Sequence, residues 1–486
     1  MSSAHADTWL APALIAWPLL AAIATILMPP ARRARASLVL MLPQAAAALA
    51  LLVEVARGGP LAHALGGWAA PLGIALTADG PGAGMVALTA LVAVPCAIHA
   101  ASYLRGHTAE EGFWPLFWFL WAAVNSIWLS GDLFNLYVGL ELLGLTAVGL
   151  VALAGSAAAL AAAMRYLLAA LLGSLAYLIG VALIYGTIGS LSLADLALHG
   201  TAQPSVQVAI VLMVLGMVLK TALFPLHGWL PPAHGGALTP VSALLSALVI
   251  KASLFIVLRL WFALGDDGAA PALAWLLGLM GAGAVLWGGW MALRQTRIKH
   301  LVAYSTVAQV GYLFLYFPLA TGASAEAAGL ARDGTLLMLA AHALAKAGMF
   351  LAAGNLVLAT GSPLIADLSG TGRFRPLSLL SFALAGVTLM GLPPSAGFSA
   401  KWLLLQSALA GGQWPWIMVL VIGGLLSAAY VFKVVRHAFI EGPKRDHFES
   451  PAGSLEWSAF ALGSASLVLG LAAAAPLRWL SVGVVP

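Results

Sequence analysis

The sequence predicts an all-α polytopic membrane protein with about fourteen transmembrane helices, and three observations carry that prediction. Of its residues, 62% are hydrophobic and only 8% charged, with a mean hydropathy of +0.99; soluble domains carry about a quarter charged residues. Apolar runs of spanning length recur from one end to the other, as a series of membrane helices requires. The short alternating segments of a β-barrel are missing. A bilayer offers the backbone no water to bond, and a continuous helix meets that demand internally.

The first run, "WLAPALIAWPLLAAIATILM", has no basic region before it and reads as a retained first span rather than a cleaved signal peptide. Breaks rich in charge, glycine or proline place further spans at 36–56, 81–100, 112–130, 133–154, 164–186 and 204–225. The remainder fall at 237–262, 271–291, 299–318, 335–359, 376–408, 414–437 and 457–475. The distribution of basic residues fixes the expected orientation. With the N-terminus outside, one face receives Arg32, Arg33, Arg35, Arg105, Arg165, Arg294, Arg297, Lys299, Arg373, Arg375, Arg436, Lys444 and Arg445. The other receives only Arg57, Arg259, Arg332 and Arg478. Both termini are therefore expected outside the cytoplasm of a multi-pass protein of the cell's inner (plasma) membrane. The longest hydrophilic stretch, "EGPKRDHFES" at 441–450, reads as a loop.

The net charge of +5 is spread over these loops, with no basic run longer than two neighbours, so no nucleic-acid partner is expected. The single cysteine, Cys96, lies in an apolar run and excludes an intramolecular disulfide, a cysteine-held cluster and a thiolate zinc site. No cofactor and no metal are expected.

A few ionisable residues remain deep in apolar sequence: Glu141, Lys220, Lys251, Lys346 and Lys401, with Lys433 nearer a helix end. Each costs roughly 2.5–3.5 kcal/mol at the centre of a membrane helix, so a set of them implies a use. Lys433 and Arg259 read as snorkelling to the interface. His227 reads as a group that caps a broken helix or carries protons, and His342, one turn before Lys346, as a packing or a proton-carrying pair. A static ion pair is the plain alternative for the rest, but one central carboxylate cannot neutralise several lysines. Oxygen groups suited to sodium, such as Asp132, Asn135 and Ser305, are scattered.

Two of the spans are interrupted. "LKTALFPLHGWLPPAH" sets Pro225, Pro231 and Pro232 among Lys220, His227 and His234, and "GLPPSAGFSAKW" sets Pro393, Pro394 and Gly397 before Lys401. Proline removes a backbone donor and clashes with the preceding turn, so spans seven and twelve should break in mid-membrane. Paired interruptions in two halves point to an inverted repeat with its ion path at the breaks. Buried amines beside freed carbonyls and trapped water can hand protons along.

The stretch "FPLHGWLPPAHGGALTPVSALLSALVIK", followed by "HALAKAGMFLAAG" and "GLPPSAGFSAKW", resembles the signatures of the antiporter-like proton-conducting subunits of the complex I superfamily. The resemblance implies inverted five-helix units, here 112–265 and 266–440, between N-terminal spans at 1–111 and a closing loop and span at 441–486. It implies a proton relay of Glu141, Lys220, His234, Lys251, His342, Lys346 and Lys401. "GGWAAPLGIALTADG" and "SGDLFNLYVGLELL" look most like the D-type member of Mrp-type multisubunit cation/proton antiporters, and are also similar to membrane subunits of hydrogenases and formate hydrogenlyase. The implied function is proton translocation coupled to sodium or another monovalent cation, with other membrane subunits as partners. The alternative is the proton-pumping subunit of a redox-driven complex, whose redox step this chain lacks the cluster ligands and dinucleotide fingerprint to perform. A scaffold or a partner in bicarbonate uptake is the third reading.

Overall fold

A computed structural model describes residues 6–199, 203–264, 271–440 and 451–483. The expected loop at 441–450, with Lys444 and Arg445, lies outside the described residues. The chain forms helices α1 (Leu10–Leu27), α2 (Pro30–Gly58), α3 (Gly80–Tyr103), α4 (Glu110–Trp128), α5 (Leu133–Ala152), α6 (Ala157–Ile188) and α7 (Pro204–Lys220). It continues with α8 (Thr239–Leu264), α9 (Pro271–Arg294), α10 (Ile298–Ala320) and α11 (Ala325–Thr360). The last are α12 (Pro376–Met390), α13 (Ala396–Ala410), α14 (Trp414–Phe439) and α15 (Gly453–Leu471). Helix occupies every segment in which the sequence places a span. Among the described residues eleven of these helices are long and apolar enough to cross a membrane by themselves. α4 is not among them, nor are α7, α12 and α13, which belong to interrupted segments.

Both interruptions occur. α7 stops at Lys220, the backbone turns through Ala222 at φ 56°, and a turn at Leu226–Trp229 leads into the short helix Leu230–Gly236. Pro225 lies in the break, whereas Pro231 and Pro232 fall in the first turn of that short helix, where an amide proton has no intrahelical acceptor to lose. α12 ends at Met390 with Gly391 in the left-handed conformation (φ 81°), the usual way to close a helix. Pro393 and Pro394 fill the turn, and the Ser395 hydroxyl accepts from the Phe398 amide to start α13. Gly397 lies inside α13 rather than in the break; a side chain there would overlap the Thr388 carbonyl oxygen.

Pro18 and Pro115 sit inside continuous helices, and the carbonyls they free are answered by other side chains. Pro18 cannot bond the Leu14 carbonyl, which instead accepts from Gln44 Nε2 (3.0 Å) and Asn125 Nδ2 (2.9 Å) and ties α1 to α2 and α4. Pro115 likewise frees the Glu111 carbonyl, which accepts from Arg33 Nη1 at 2.6 Å.

α8, α10 and α11 are almost wholly buried, while α1, α2 and α15 bury about a third of their apolar windows. The three form the central column. Close approach depends on small residues: Gly281 of α9 and Gly311 of α10 each face the other's carbonyl, the packing that membrane helices use in place of a hydrophobic drive. The addition to the expected helices is a three-stranded sheet of β1 (Ala6–Asp7), β2 (Leu61–Ala64) and β3 (Ala75–Ala78), with β2 parallel to β1 and antiparallel to β3.

The structure corrects the snorkelling assignments. Arg259 forms a two-pronged ion pair with Asp79, Nη2 to Oδ1 being 2.7 Å, and its guanidinium lies over Phe255. Asp79 also caps α3 through the Gly82 amide, so this pair joins α3 to α8. Lys433 donates to the Leu293 and Gln295 carbonyls, both at 2.7 Å, at the C-terminal end of α9, where a cation is favoured. Removing one partner of such a pair strands the other charge. Asp79→Asn should therefore lower the thermal unfolding midpoint in detergent, with Asp79→Asn/Arg259→Met less destabilised than the sum of the single variants.

Candidate functional site

Lys220 is the last residue of α7, and its amine sits beside two oxygens. It donates to Ser174 Oγ at 2.6 Å and stands 4.0 Å from Glu141 Oε1. Its side chain is 8% exposed against 27% for Glu141, so the carboxylate is the outer member of the pair. Glycines make room for it. A Cβ on Gly173 would lie 2.6 Å from Lys220 Cγ and from the Gly216 carbonyl, so α6 and α7 touch at these glycines with the lysine stem between them. Beyond the amine lies a cavity of about 10 Å³ lined by Leu143, Gly144, Tyr166 and Ser253, room for about one water. Ser253 Oγ accepts from Thr221 Oγ1 at 2.9 Å, which carries the polar contact across to α8.

The central column holds the next groups. The stretch of α8 before Lys251, Leu245–Val249, is π-helical, a widening often found at functional positions. Lys251 Nζ donates to the Ser246 carbonyl at 2.8 Å. Ser246 Oγ bonds Thr306 Oγ1 of α10 at 2.9 Å, and Thr306 donates to the Val302 carbonyl at 3.1 Å. Lys346 of α11 donates to that same carbonyl at 2.5 Å and to Ser305 Oγ at 2.7 Å. Three helices thus meet in one run of hydrogen bonds.

Farther along, Ser305 faces the Tyr430 hydroxyl of α14. Gln309 Nε2 donates to Ser427 Oγ (3.1 Å), Tyr430 (3.4 Å) and the Leu389 carbonyl (3.0 Å). Lys401 Nζ donates to that Leu389 carbonyl at 2.8 Å and to Met390 at 3.3 Å, and lies 4.2 Å above the Tyr312 ring. The amine therefore caps the C-terminal end of α12, opened by the second break. Among the described residues none of Lys251, Lys346 and Lys401 has a carboxylate within salt-bridge distance.

His234 and His342 are fully buried, and both ring nitrogens of each lack a hydrogen-bond partner among the described residues. His342 interacts electrostatically with Lys251, Lys346 and Lys401, and His234 with Lys346, Lys299 and Lys251. His234 stacks on Phe350 (4.9 Å), over which Lys346 also lies (5.1 Å). Backbone carbonyls only accept, so a proton cannot pass through them; hydroxyls and imidazoles both give and accept. The two histidines and the hydroxyls of Ser246, Thr306 and Ser305 are groups of this kind beside the amines.

The structure gathers Lys251, His234, His342, Lys346 and Lys401 around the central column and sets Glu141–Lys220 at one end, where Ser253 of α8 lines the same small cavity as Lys220. His227 stacks on Phe224, outside this cluster. Asp132 caps α5 at the Asn135 amide, and Asn135 Nδ2 bonds Ser130, so these groups serve the helix start. Sequence reasoning missed Ser174, Ser246, Thr306, Gln309 and Tyr430. Hydroxyls are ordinary in apolar helices, but an amide such as Gln309 in mid-span was a readable signal. It also placed Lys299 in a loop, whereas its amine reaches inward to the Ala237 carbonyl.

The family described as NADH:quinone oxidoreductase/Mrp antiporter, TM, matches residues 130–427. The chain is 38% identical over 404 residues to NADH-quinone oxidoreductase subunit N of Desulforudis audaxviator, covering 82% of this chain and 79% of that one. It is 31% identical over 433 residues to the D-type chain of the Na(+)/H(+) antiporter of Alkalihalophilus pseudofirmus, covering 87% and 85%. Its fold matches a chain of the Mrp complex from Dietzia sp. DQ12-45-1b with a TM-score of 0.88 at 26% identity, over 98% of this chain and 97% of that chain.

The glycine contact at Lys220 is directly testable. Gly173→Val should lower thermal stability by forcing α6 from α7, whereas Gly186→Val, on the same helix with open space around it, should leave stability native.

Proposed function

We propose, for a chain that belongs to the NADH:quinone oxidoreductase/Mrp antiporter transmembrane family, that it moves protons along Glu141, Lys220, His234, Lys251, His342, Lys346 and Lys401. The observation that carries this reading is the run of buried amines held by oxygens without carboxylates, linked across α8, α10 and α11 by Ser246, Thr306 and Ser305. An ion pair meant only for stability would match each amine with an acid, and buried ionisable groups in a membrane are costly enough to be kept for use. Residues 112–265 and 266–440 act in this reading as two inverted units, each with its own break and lysine.

The chain works as one member of a multisubunit cation/proton antiporter of the plasma membrane, exchanging protons for sodium or another monovalent cation. Its likeness to the D-type antiporter chain and to the Mrp complex supports this. The excess of basic residues on one face supports termini outside the cytoplasm, although Arg259 and Lys299 are engaged by Asp79 and Ala237 and count less as free loop charges. A second reading has the same row pumping protons in a redox-driven assembly, and the 38% identity to a membrane chain of an NADH-quinone oxidoreductase favours it.

Both readings require the row. In proteoliposomes holding the assembled complex, Lys220→Ala and Lys346→Ala should abolish proton flux while assembly of the complex stays native. Flux near the native rate in both would contradict the relay. Collapse of a pH gradient on addition of sodium supports the antiporter; flux that needs an electron donor supports the redox-driven pump.

A further inference from the structure

The relay needs a route to solution, and the start of α10 sets basic residues between the surface and His234. Lys299 and His300 are half-buried in the first turn of α10, while the neighbouring Arg297 is exposed. The Lys299 amine bonds the Ala237 carbonyl, and Ala237 directly follows the short helix Leu230–Gly236 that carries His234. The His300 ring lies against Gly235; a Cβ there would fall within contact distance of three ring atoms. Lys299 and His300 therefore flank the segment that holds His234 on the side nearer the surface. His234 itself is fully buried, has no hydrogen-bond partner on either ring nitrogen among the described residues, and interacts electrostatically with Lys299 of α10, Lys251 of α8 and Lys346 of α11. Burial thus deepens from exposed Arg297 through half-buried Lys299 to His234, which is as fully buried as the central Lys251 and Lys346.

We propose that Lys299 is the mouth of the relay, the amine that passes protons between the solution at the start of α10 and His234. This rests on the relay reading above. In the inward step an N–H bond of the Lys299 ammonium breaks and a new one forms on a free nitrogen of His234; the neutral amine then takes a proton from water. His300 keeps the mouth narrow against Gly235.

The competing role is a fixed charge that caps the broken segment. Arginine separates the two, because its guanidinium donates to the carbonyl and keeps the charge but does not release its proton. In the assembled complex Lys299→Arg should slow proton flux by about tenfold or more, on the scale of a lost proton-transfer group. Lys299→His, which can exchange a proton, should retain a measurable part of it. A native rate in Lys299→Arg, or an equally deep loss in Lys299→His, overturns the proposal. Should Lys299→Arg not assemble, Lys299→His is read against Lys299→Gln, whose neutral amide still donates but cannot exchange a proton: flux kept in the first and lost in the second supports the proposal, and equal flux in the two overturns it. Lys220→Ala and Lys346→Ala run alongside: native flux in those two fails the relay itself, while their loss beside a native Lys299→Arg fails only the mouth.

Discussion

The buried row depends on one constraint: an amine inside a membrane must have oxygens around it. Lys251, Lys346 and Lys401 meet it with backbone carbonyls and hydroxyls instead of carboxylates. Carbonyls inside a regular helix are largely used, and they become more available where helices are widened, broken or ended. Lys251 draws on the π-helical turn before it and Lys401 on the break after Met390, while Lys346 shares the Val302 carbonyl within α10 with Thr306. The irregularities in α8 and in the segment divided between α12 and α13 are thus part of how the lysines are tolerated.

The same arrangement explains why the groups suit proton movement. An amine tied to an acid is held in one protonation state by its partner. An amine held by neutral oxygens lacks that anchor, and its neighbours Ser246, Thr306 and Ser305 can reorient their hydroxyls. The aromatic rings near it, Phe350 beside Lys346 and Tyr312 beside Lys401, offer a cation a weak second partner. Within the row only the Glu141–Lys220 end has a matched acid among the described residues, and there the carboxylate is the more exposed member. The row is therefore asymmetric, anchored at one end and open in its centre.

Much of the helix order was legible because apolar length is a strong signal, and Pro225, Pro393 and Pro394 marked the breaks. Lys220, Lys251, Lys346 and Lys401 were legible for the same reason, as charges in runs that exclude charge. The sheet of β2 and β3 was not: "LAHA" and "ALTA" are too short and too rich in alanine to show a period of two. Arg259 and Lys299 misled because both sit near helix ends, where sequence places a loop or snorkelling cation. Only the fold brings Asp79 to Arg259 from 180 positions away. The hydroxyls that link the lysines were illegible individually, since serine and threonine are common in apolar helices and nothing in their spacing names a partner on another helix. α8, α10 and α11 are also apolar on all sides, so no amphipathic stripe pointed to the face that carries the row.

The central claim is that His234 and His342 join the lysines through exchangeable hydrogen bonds in a hydrated interior. Buried nitrogens without protein partners are expected to be met by ordered water. The most direct measurement is a cryo-EM map of the assembled complex at a resolution that shows bound water. Water density in contact with the ring nitrogens of His342 and His234, bridging toward Lys251 and Lys346, is the predicted result. Close-packed carbon on both rings with no water between them and the amines would contradict the account.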